Sequence, residues 1–278
     1  MNTKTLASMI IFSFFTVVSF AQPRAPEIDG KEVFKNEDVV FHQLDEHTWI
    51  GSGHVMASES LYLLEGNDRA LLIDAGTSIK DLDKVVAEIT KKPVMLVATH
   101  VHPDHVGSAK YFPEIYINQG DTANVKRMMA DFKGQVKYLK DGQIIDLGGR
   151  KIEVFFTPAH TPGATTYMDK AAGYGFSGDS FGSGNLLLTG TFEQLIATCE
   201  KTSAYMEKNG IKFFYPGHFF GKNPETKQRI ADLATLSKDV LSRKVNGTEN
   251  PRGMMGLNLI VNDYGVRINY NERALGKK

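Results

Sequence analysis

Four side chains able to bind a metal ion lie within one six-residue stretch, the segment HVHPDH that starts at His100. Three imidazoles and a carboxylate this close together are hard to explain as core packing, because buried polar groups need partners and a cation supplies one. In an extended segment the side chains alternate, so His100 and His102 point to the same side and can reach one metal ion. Asp104 and His105 follow Pro103, where the chain turns, and are expected to serve a second metal ion beside the first.

Three further candidate ligands each follow a predicted strand. They are His160 in PAHTPG, Asp179 in FSGDS and His218 in YPGH. Glycine or proline lies close to each one, which suits a tight loop at the rim of a site. A single histidine is more often a structural residue than a ligand, but five of the eight histidines in the chain fall at strand exits in this way. This concentration predicts a metal site built from several loops.

The types of these seven side chains limit the chemistry. All are nitrogen or oxygen donors, which suits zinc first, with iron or manganese as alternatives. A water molecule between two such cations would lose a proton near neutral pH and act as a hydroxide nucleophile. One cation could polarise a scissile carbonyl or phosphoryl oxygen while the other stabilises the leaving group. The sequence therefore predicts a hydrolase with two zinc ions per chain that needs no serine or cysteine nucleophile.

Alternating strands and helices must bring these loops together. Apolar runs bounded by Asn, Asp and Gly predict strands, and apolar positions repeated at helical spacing predict amphipathic helices. Strands are expected at 39–41, 47–50, 61–64, 70–73, 93–98, 116–117, 152–156, 174–176, 212–215, 257–261 and 266–270. Helices are expected at 79–89, 121–131, 191–208 and 230–241. Strand-rich halves flanked by helices favour one α/β domain with layered packing.

The order of these motifs resembles the metallo-β-lactamase superfamily. The shared pattern is an Asp after the first strands, His-x-His-x-Asp-His, a later His, an Asp and a final His, and it spans residues 39–220. The resemblance implies a mixed α/β (α+β) fold, a four-layer αββα sandwich, with the site between the two sheet edges.

The same resemblance gives each motif residue an expected role. The first metal ion is expected to bind His100, His102 and His160. The second is expected to bind Asp104, His105 and His218, with Asp179 bridging the two. Asp104 is also expected to orient the hydroxide. Asp74, in LLIDAG, is expected to orient a ligand without touching a metal ion.

The start of the chain bears on its location. A positively charged beginning and an apolar run that ends in small residues at Ala21 predict a signal peptide over residues 1–21. An uncleaved membrane anchor is the alternative, but the run is shorter than the roughly 20 residues that a spanning helix needs. Residues 22–38 are then expected to form a loose leader, and residues 39–278 the hydrolase domain. Cleavage would give a periplasmic or secreted protein with no stable membrane insertion.

Charge and composition bear on the partner. Lysine plus arginine and aspartate plus glutamate both number 32, so the formal net charge is zero. No global field therefore favours nucleic acid, and a small-molecule substrate is expected. Hydrophobic residues make up 42% of the chain, which is enough for a globular core. The sequence leaves the oligomeric state open.

Several substrates fit the predicted metal site. Export favours a cyclic amide (a β-lactam), or an ester or lactone, ahead of a thioester. Thioester hydrolysis of the glyoxalase II type is an alternative, although the stretch GSGNLLL at 182–188 lacks the basic residue with which that family grips glutathione. An iron-dependent sulfur oxygenase of the same fold is another, but it would use only three protein ligands and leave Asp104 and His218 unneeded. The zero net charge disfavours a nuclease, and the complete ligand set disfavours a non-catalytic metal protein.

Three other features have two interpretations each. Leu186, Leu187 and Leu188 could line an apolar pocket that accepts an acyl group, or they could lie in the core. His54, in the loop 51–58, could touch substrate in a flexible flap, but exposure to solvent is the more common state of a loop histidine. Cys199 is the only cysteine and lies on the apolar face of a predicted helix, so it is expected to be a buried thiol and not a nucleophile.

Overall fold

The computed structural model describes residues 28–54 and 58–276. The strands in these ranges are Lys31–Lys35 (β1), Val39–Asp45 (β2), Thr48–Gly53 (β3), Ser60–Glu65 (β4), Ala70–Ile73 (β5), Val94–Val97 (β6), Glu114–Ile117 (β7), Gln135–Tyr138 (β8), Ile144–Asp146 (β9), Lys151–Phe156 (β10), Thr165–Asp169 (β11), Tyr174–Gly178 (β12), Leu186–Leu187 (β13), Phe213–Pro216 (β14), Glu225–Thr226 (β15), Thr248–Glu249 (β16), Leu259–Asp263 (β17) and Val266–Tyr270 (β18). The α-helices are Leu82–Ile89 (α1), Pro103–Val106 (α2), Thr122–Met128 (α3), Phe192–Asn209 (α4) and Lys227–Leu241 (α5).

The strands form two large sheets and one small one. The first large sheet has eight strands in the order β1 to β8, antiparallel as far as β5 and parallel from β5 to β8. The second has six strands in the order β15-β14-β12-β11-β10-β9, and its β12 and β14 are parallel. The small sheet, β13-β18-β17-β16, contains the C-terminal hairpin. Parallel neighbours matter here because their carboxyl ends open onto the same edge of a sheet.

Both faces of each large sheet are buried, which sets the order of the layers. Along β4, Leu61 and Leu63 belong to an outer core that includes apolar residues of α1. The alternate residues Tyr62 and Leu64 belong to a central core shared with β10, β11 and β12 of the second sheet. On the other side of the second sheet, a third core contains residues of α4 and α5, among them Phe192. Helix, sheet, sheet and helix therefore follow one another, and the expected four-layer αββα sandwich is confirmed.

Arg150 ties the two large sheets together at one end of the central core. Its Nε donates to the carboxylate of Asp169 over 2.7 Å. Its two terminal nitrogens donate to the carbonyl of His47 (2.7 Å) and the hydroxyl of Thr48 (2.9 Å) in the first sheet. The Asp169 side chain is almost fully buried, so the guanidinium neutralises a charge that water does not reach.

The structure departs from the sequence-based predictions in a few places. Residues 31–35, expected in the loose leader 22–38, form the edge strand β1 and pair with β2. Three charged residues in five hid this strand, because an edge strand pairs on one side only and tolerates charged side chains. The predicted helix 121–131 is shorter, Thr122–Met128, and the buried strand Thr165–Asp169 was not predicted. The predicted signal peptide 1–21 and residues 22–27 lie outside the described residues.

Within the described ranges, no helix combines the length and the apolar character needed to cross a bilayer.

Candidate metal centre

Five of the seven candidate ligands lie on loops that leave the carboxyl ends of four strands, and the other two lie on the short helix α2. His100 and His102 follow β6, and the chain then enters α2, which carries Asp104 and His105. His160 follows β10, Asp179 follows β12 and His218 follows β14. Strands of both large sheets end at this edge, so residues far apart in sequence meet there. The donor atoms form three overlapping groups, each with all atoms within 4.8 Å of one another.

The first group consists of His100, His102 and His160. The Nδ1 atom of His102 lies 3.0 Å from Nε2 of His100 and 3.0 Å from Nε2 of His160. The Nδ1–H of His160 donates to the carbonyl of Leu187 over 2.7 Å, which leaves its Nε2 lone pair directed at the group. Three ring nitrogens thus converge on one point, as in a three-histidine metal site.

The second group consists of Asp104, His105 and His218. The carboxylate of Asp104 lies 3.4 Å from Nε2 of His218 and 3.7 Å from Nε2 of His105. The Nδ1–H of His105 donates to Asp74 over 2.8 Å. This hydrogen bond fixes the tautomer in which Nε2 carries the free lone pair, so Asp74 lies where a residue that orients a ligand is expected.

Asp179 lies between the two groups. Its Oδ2 is 3.8 Å from His160 Nε2 of the first group and 3.5 Å from His218 Nε2 of the second. The same oxygen is 3.8 Å from His105 Nε2. Such a position suits a carboxylate shared by two cations.

Burial and neighbouring charges shift the pKa values of these groups in opposite directions. Burial, reinforced by the neighbouring histidines, lowers the pKa of His100 well below its usual range and that of His102 to about 3. Burial also acts to lower the pKa of His105, but the carboxylates of Asp74, Asp104 and Asp179 outweigh it and raise the value to about 9. Burial therefore favours the neutral, lone-pair-donating form of His100 and His102, whereas the surrounding carboxylates favour the protonated form of His105 when no cation is bound.

Two buried atoms in the site lack a hydrogen-bond partner among the described residues. They are Nε2 of His105 and Oδ1 of Asp179. Unpaired buried polar atoms are rare and costly, and they call for a partner such as a bound ion. Gly217 leaves room beside both, since a Cβ there would lie 2.3 Å from Asp179 Oδ1 and 2.7 Å from the His105 ring. The donor types, the convergence and these two atoms all fit a pair of divalent cations.

A second buried carboxylate, Asp121, holds the ligand loops and was missed by sequence reasoning. It accepts hydrogen bonds from the backbone N–H of Val101 (2.8 Å), the hydroxyl of Thr161 (3.0 Å) and the N–H of Gly163 (2.9 Å). These residues flank the three histidines of the first group. Asp121 occupies the cap position of α3 without making a cap hydrogen bond. Its sequence position suggested an ordinary helix start and gave no signal of this role.

A cleft of about 220 Å³ opens beside the donor groups, and His160, Asp179 and His218 form one wall. Leu187 also lines the cleft, whereas Leu186 and Leu188 are buried in the core. The apolar stretch 186–188 therefore contributes to both the pocket and the core. Sequence reasoning did not single out Ser183, Phe220 or Met254, which complete the lining with Gly182 and Asn185.

A buried carboxylate, Glu225, forms a hydrogen bond with the loop that contains Ser183. Its Oε1 accepts the N–H of Ser183 over 2.7 Å, and its Oε2 accepts from Nε of Arg229 over 2.7 Å. Burial raises the pKa of Glu225 to about 7, even though Arg229 acts to lower it. The Ser183 hydroxyl in turn accepts the backbone N–H of His218 over 3.2 Å, which links the cleft to the second donor group.

The structure gives no catalytic role to three other residues, namely His54, Cys199 and Ser180. His54 is exposed and its ring donates to the carbonyl of Glu37 over 2.9 Å, while 55–57 of the expected flap lie outside the described residues. Cys199 is buried in the core, as expected.

The segment GDSFG at 178–182 matches the Gly-x-Ser-x-Gly pattern of serine hydrolases. The buried Ser180 hydroxyl, however, hydrogen-bonds the hydroxyl of Thr157 (2.8 Å), whereas a serine nucleophile pairs with a general base.

Comparison with known proteins agrees with this architecture. The human acyl-coenzyme A thioesterase MBLAC2 is 24% identical over 231 residues, which cover 67% of this chain and 82% of that protein. The hydroxyacylglutathione hydrolase of Klebsiella pneumoniae subsp. pneumoniae is 31% identical over 156 residues, which cover 54% of this chain and 58% of that protein. The structure of a metallo-beta-lactamase from Pontibacter korlensis superposes with a TM-score of 0.60 at 16% identity, covering 72% of this chain and 99% of that one. Its identity is low enough that it bears on the fold alone.

The sequence profile of one family spans the whole ligand pattern. Residues 57–218, from just before β4 to the last histidine of the second group, match the metallo-beta-lactamase superfamily. This range is more than half of the chain and contains every candidate ligand. The chain belongs to the metallo-beta-lactamase superfamily and is a metal-dependent hydrolase.

Proposed function

We propose that this protein uses two zinc ions to hydrolyse the thioester bond of a small acyl substrate. One observation carries the hydrolytic chemistry: two three-residue donor groups share one edge of the fold, with the carboxylate of Asp179 between them. When bound, the cations would lower the pKa of a coordinated water and polarise the scissile carbonyl. His100, His102 and His160 would hold one ion, Asp104, His105 and His218 the other, and Asp179 both.

The protein's own residues have distinct tasks in this proposal. Asp74 keeps the proton of His105 on Nδ1, so that Nε2 stays free. Burial acts to raise the pKa of Asp104, but His105 and His218 outweigh it and lower the value to about 2. Asp104 therefore stays ionised and can accept a hydrogen bond that orients the attacking water. Ser183 and Asn185 line the cleft with polar groups that can position the substrate.

The order of substrates changes once relatives are considered. The motifs alone placed β-lactams and lactones ahead of thioesters. The relatives whose names state a reaction are an acyl-coenzyme A thioesterase and a hydroxyacylglutathione hydrolase, and both names describe thioester cleavage. The seven-ligand arrangement also supports a hydrolase over an iron-dependent sulfur oxygenase, because Asp104 and His218, which a three-ligand iron site would not use, lie within the second donor group.

β-Lactam hydrolysis is the second candidate, and the predicted signal peptide favours it. We propose that cleavage after Ala21 releases a periplasmic or secreted protein, because a β-lactamase acts outside the cytoplasm. N-terminal sequencing of the protein recovered from the cell exterior would test this proposal. A mature chain that begins at Gln22 supports it, and a chain that retains residues 1–21 contradicts it.

The test of function uses the mature chain, residues 22–278, loaded with zinc. Initial rates are measured on neutral S-acyl thioesters, with released thiol detected by a chromogenic disulfide, and on a chromogenic cephalosporin. Asp104→Ala removes a proposed ligand, and Asp232→Ala removes a half-buried carboxylate of α5, away from the donor groups, as a matched control. Thioester turnover that is lost in Asp104→Ala and kept in Asp232→Ala supports the proposal. Cephalosporin turnover alone would replace it with the second candidate, and a folded protein that binds no zinc would refute both.

A further inference from the structure

Three apolar side chains line the cleft beside the donor groups. They are Leu187, Phe220 and Met254, and we call them the apolar wall. Phe220 and Met254 are 44% and 60% exposed, so two large apolar side chains border open space at the mouth of the site. Scattered exposed apolar residues are ordinary, but several that converge on one concave site indicate a surface for an apolar ligand group.

Both exposed members of the apolar wall lie on supported turns. The N–H of Phe220 donates to the side chain of Asn223 over 2.7 Å, and the amide of Asn223 donates to the carbonyl of His218 over 2.8 Å. The turn that presents Phe220 is thus tied to a ligand of the second donor group. A bound chain in contact with Phe220 would therefore lie close to the second donor group.

Met254 begins a short turn, Met254–Gly256, that is joined to the cleft by a chain of amides. The N–H of Gly253 donates to the carbonyl of Asn250, and the side chain of Asn250 donates to that of Asn269 over 3.0 Å. Asn269 then donates to the side chain of Asn185 over 2.8 Å, and Asn185 itself lines the cleft. The position of Met254 is therefore coupled to the polar lining of the same cleft.

Among the described residues that line the cleft, the ionisable side chains are the proposed metal ligands His160, Asp179 and His218. The other polar members of this described lining are Ser183 and Asn185, and none is a lysine or arginine. The wall therefore offers no cation to an anionic substrate group. An apolar chain, which gains about 0.8 kcal/mol per buried methylene, matches it better.

We propose that the apolar wall selects substrates that carry an unsubstituted hydrocarbon chain on the scissile carbonyl. This inference rests on the proposed acyl hydrolysis and names the acyl chain, with Phe220 and Met254 as the specificity-determining residues. The cleft is small, about 220 Å³, so the gain from each added methylene should stop once the chain outgrows it.

The first test measures kcat/KM on N-acetylcysteamine thioesters with acetyl, butanoyl, hexanoyl and octanoyl chains. These neutral substrates differ only in the acyl group. We expect kcat/KM to rise about fourfold per methylene while the added chain stays within the cleft and then to level off. Met254→Ala and Phe220→Ala are each expected to lower the hexanoyl value about tenfold and the acetyl value less than twofold.

Met255→Ala is the matched control, because Met255 is a neighbouring methionine, 50% exposed, that does not line the cleft. It is expected to keep the wild-type chain-length profile. A flat profile in the wild-type protein, or equal losses in Met254→Ala and Met255→Ala, would overturn the inference even if the thioesters are hydrolysed.

A binding experiment separates this inference from the proposed function. The affinity of the zinc-loaded protein for acetate, hexanoate and octanoate is measured by calorimetry, which needs no turnover. Affinity that rises with chain length and falls in Met254→Ala, but not in Met255→Ala, supports the apolar wall. If that pattern appears while no thioester is cleaved, the proposed reaction fails, and what stands is that the apolar wall binds a hydrocarbon chain. Equal affinity for the three carboxylates overturns the inference.

Discussion

Replacing Asp74 by Asn tests how the second donor group is oriented. Asp74 has a left-handed backbone (φ 67°), a conformation that asparagine tolerates, so the substitution keeps the fold and almost the same shape. Its Oδ1 accepts the N–H of Thr99 over 2.7 Å. Its Oδ2 accepts both the Thr99 hydroxyl and the His105 Nδ1–H, each over 2.8 Å. An amide has one acceptor oxygen and cannot serve all three donors.

The expected result follows from where the amide nitrogen must lie. If the Asn oxygen keeps the Thr99 N–H, the NH₂ group faces Nδ1 of His105 and donates to it. His105 must then carry its own proton on Nε2, the atom that would otherwise bind the metal ion. Loss of such an orienting partner typically lowers metal affinity 10- to 100-fold. We therefore expect Asp74→Asn to weaken one zinc site by about that factor and to leave the three-histidine site nearly unchanged.

Calorimetric titration of the metal-free protein with zinc, together with metal content after dialysis, measures both affinities. Asp121→Asn is the control, because Asp121 is an equally buried carboxylate with three donors but contacts no imidazole. It is expected to lower the free energy of unfolding by about 1–3 kcal/mol without weakening the second site alone. Two unchanged zinc affinities in Asp74→Asn, or the same selective loss in Asp121→Asn, would refute the tautomer explanation.

Three further predictions concern groups outside the donor groups. Burial raises the pKa of Glu225 from 4.5 to about 7, so the folded metal-free protein keeps a proton that the unfolded chain releases between these values. Stability should therefore fall as pH rises through this window, and urea unfolding should show Glu225→Gln reducing that fall by up to about 3 kcal/mol. The Cys199 thiol is buried and its pKa is raised by burial, so a chromogenic disulfide should label it only in denaturant. Arg150→Met leaves Asp169 buried without its cation, and unfolding should show a loss of about 3–5 kcal/mol while zinc content stays unchanged.

Much of this architecture can be predicted from local sequence signals. The strands at 61–64 and 70–73 are apolar runs because both of their faces are buried, and the helix at 191–208 has regular apolar spacing. The ligand segment HVHPDH combines donor types and spacing that few other sites need, so it is visible without a structure. These signals are local because each depends on the period of one element or the chemistry of one loop.

The residues that were missed act through contacts between distant segments. Asp121 joins loops at 101 and 161–163, and Glu225 supports a loop 42 positions earlier in the sequence. Neither has unusual neighbours in the sequence, so each resembles an ordinary polar residue at the start of a helix or strand. Met254 likewise gains its place in the cleft from the packing of the C-terminal hairpin. Such roles depend on the tertiary arrangement, which periodicity does not encode.

The two orienting carboxylates divide the metal centre between them. Asp74 holds the backbone of Thr99 and the ring of His105, whereas Asp121 holds the backbone of Val101 and the loop after His160. His100 lies between two anchored neighbours, so its position is fixed from both sides before any cation binds. Because these anchors are hydrogen bonds to protein atoms, the ligand loops should keep their arrangement when zinc is removed. The conformational entropy of the ligand loops is then lost on folding and not on zinc binding. Zinc affinity is therefore not reduced by a cost of ordering these loops. Only Asp74 also fixes the ring of a second-group ligand, which is why Asp74→Asn should weaken that zinc site selectively.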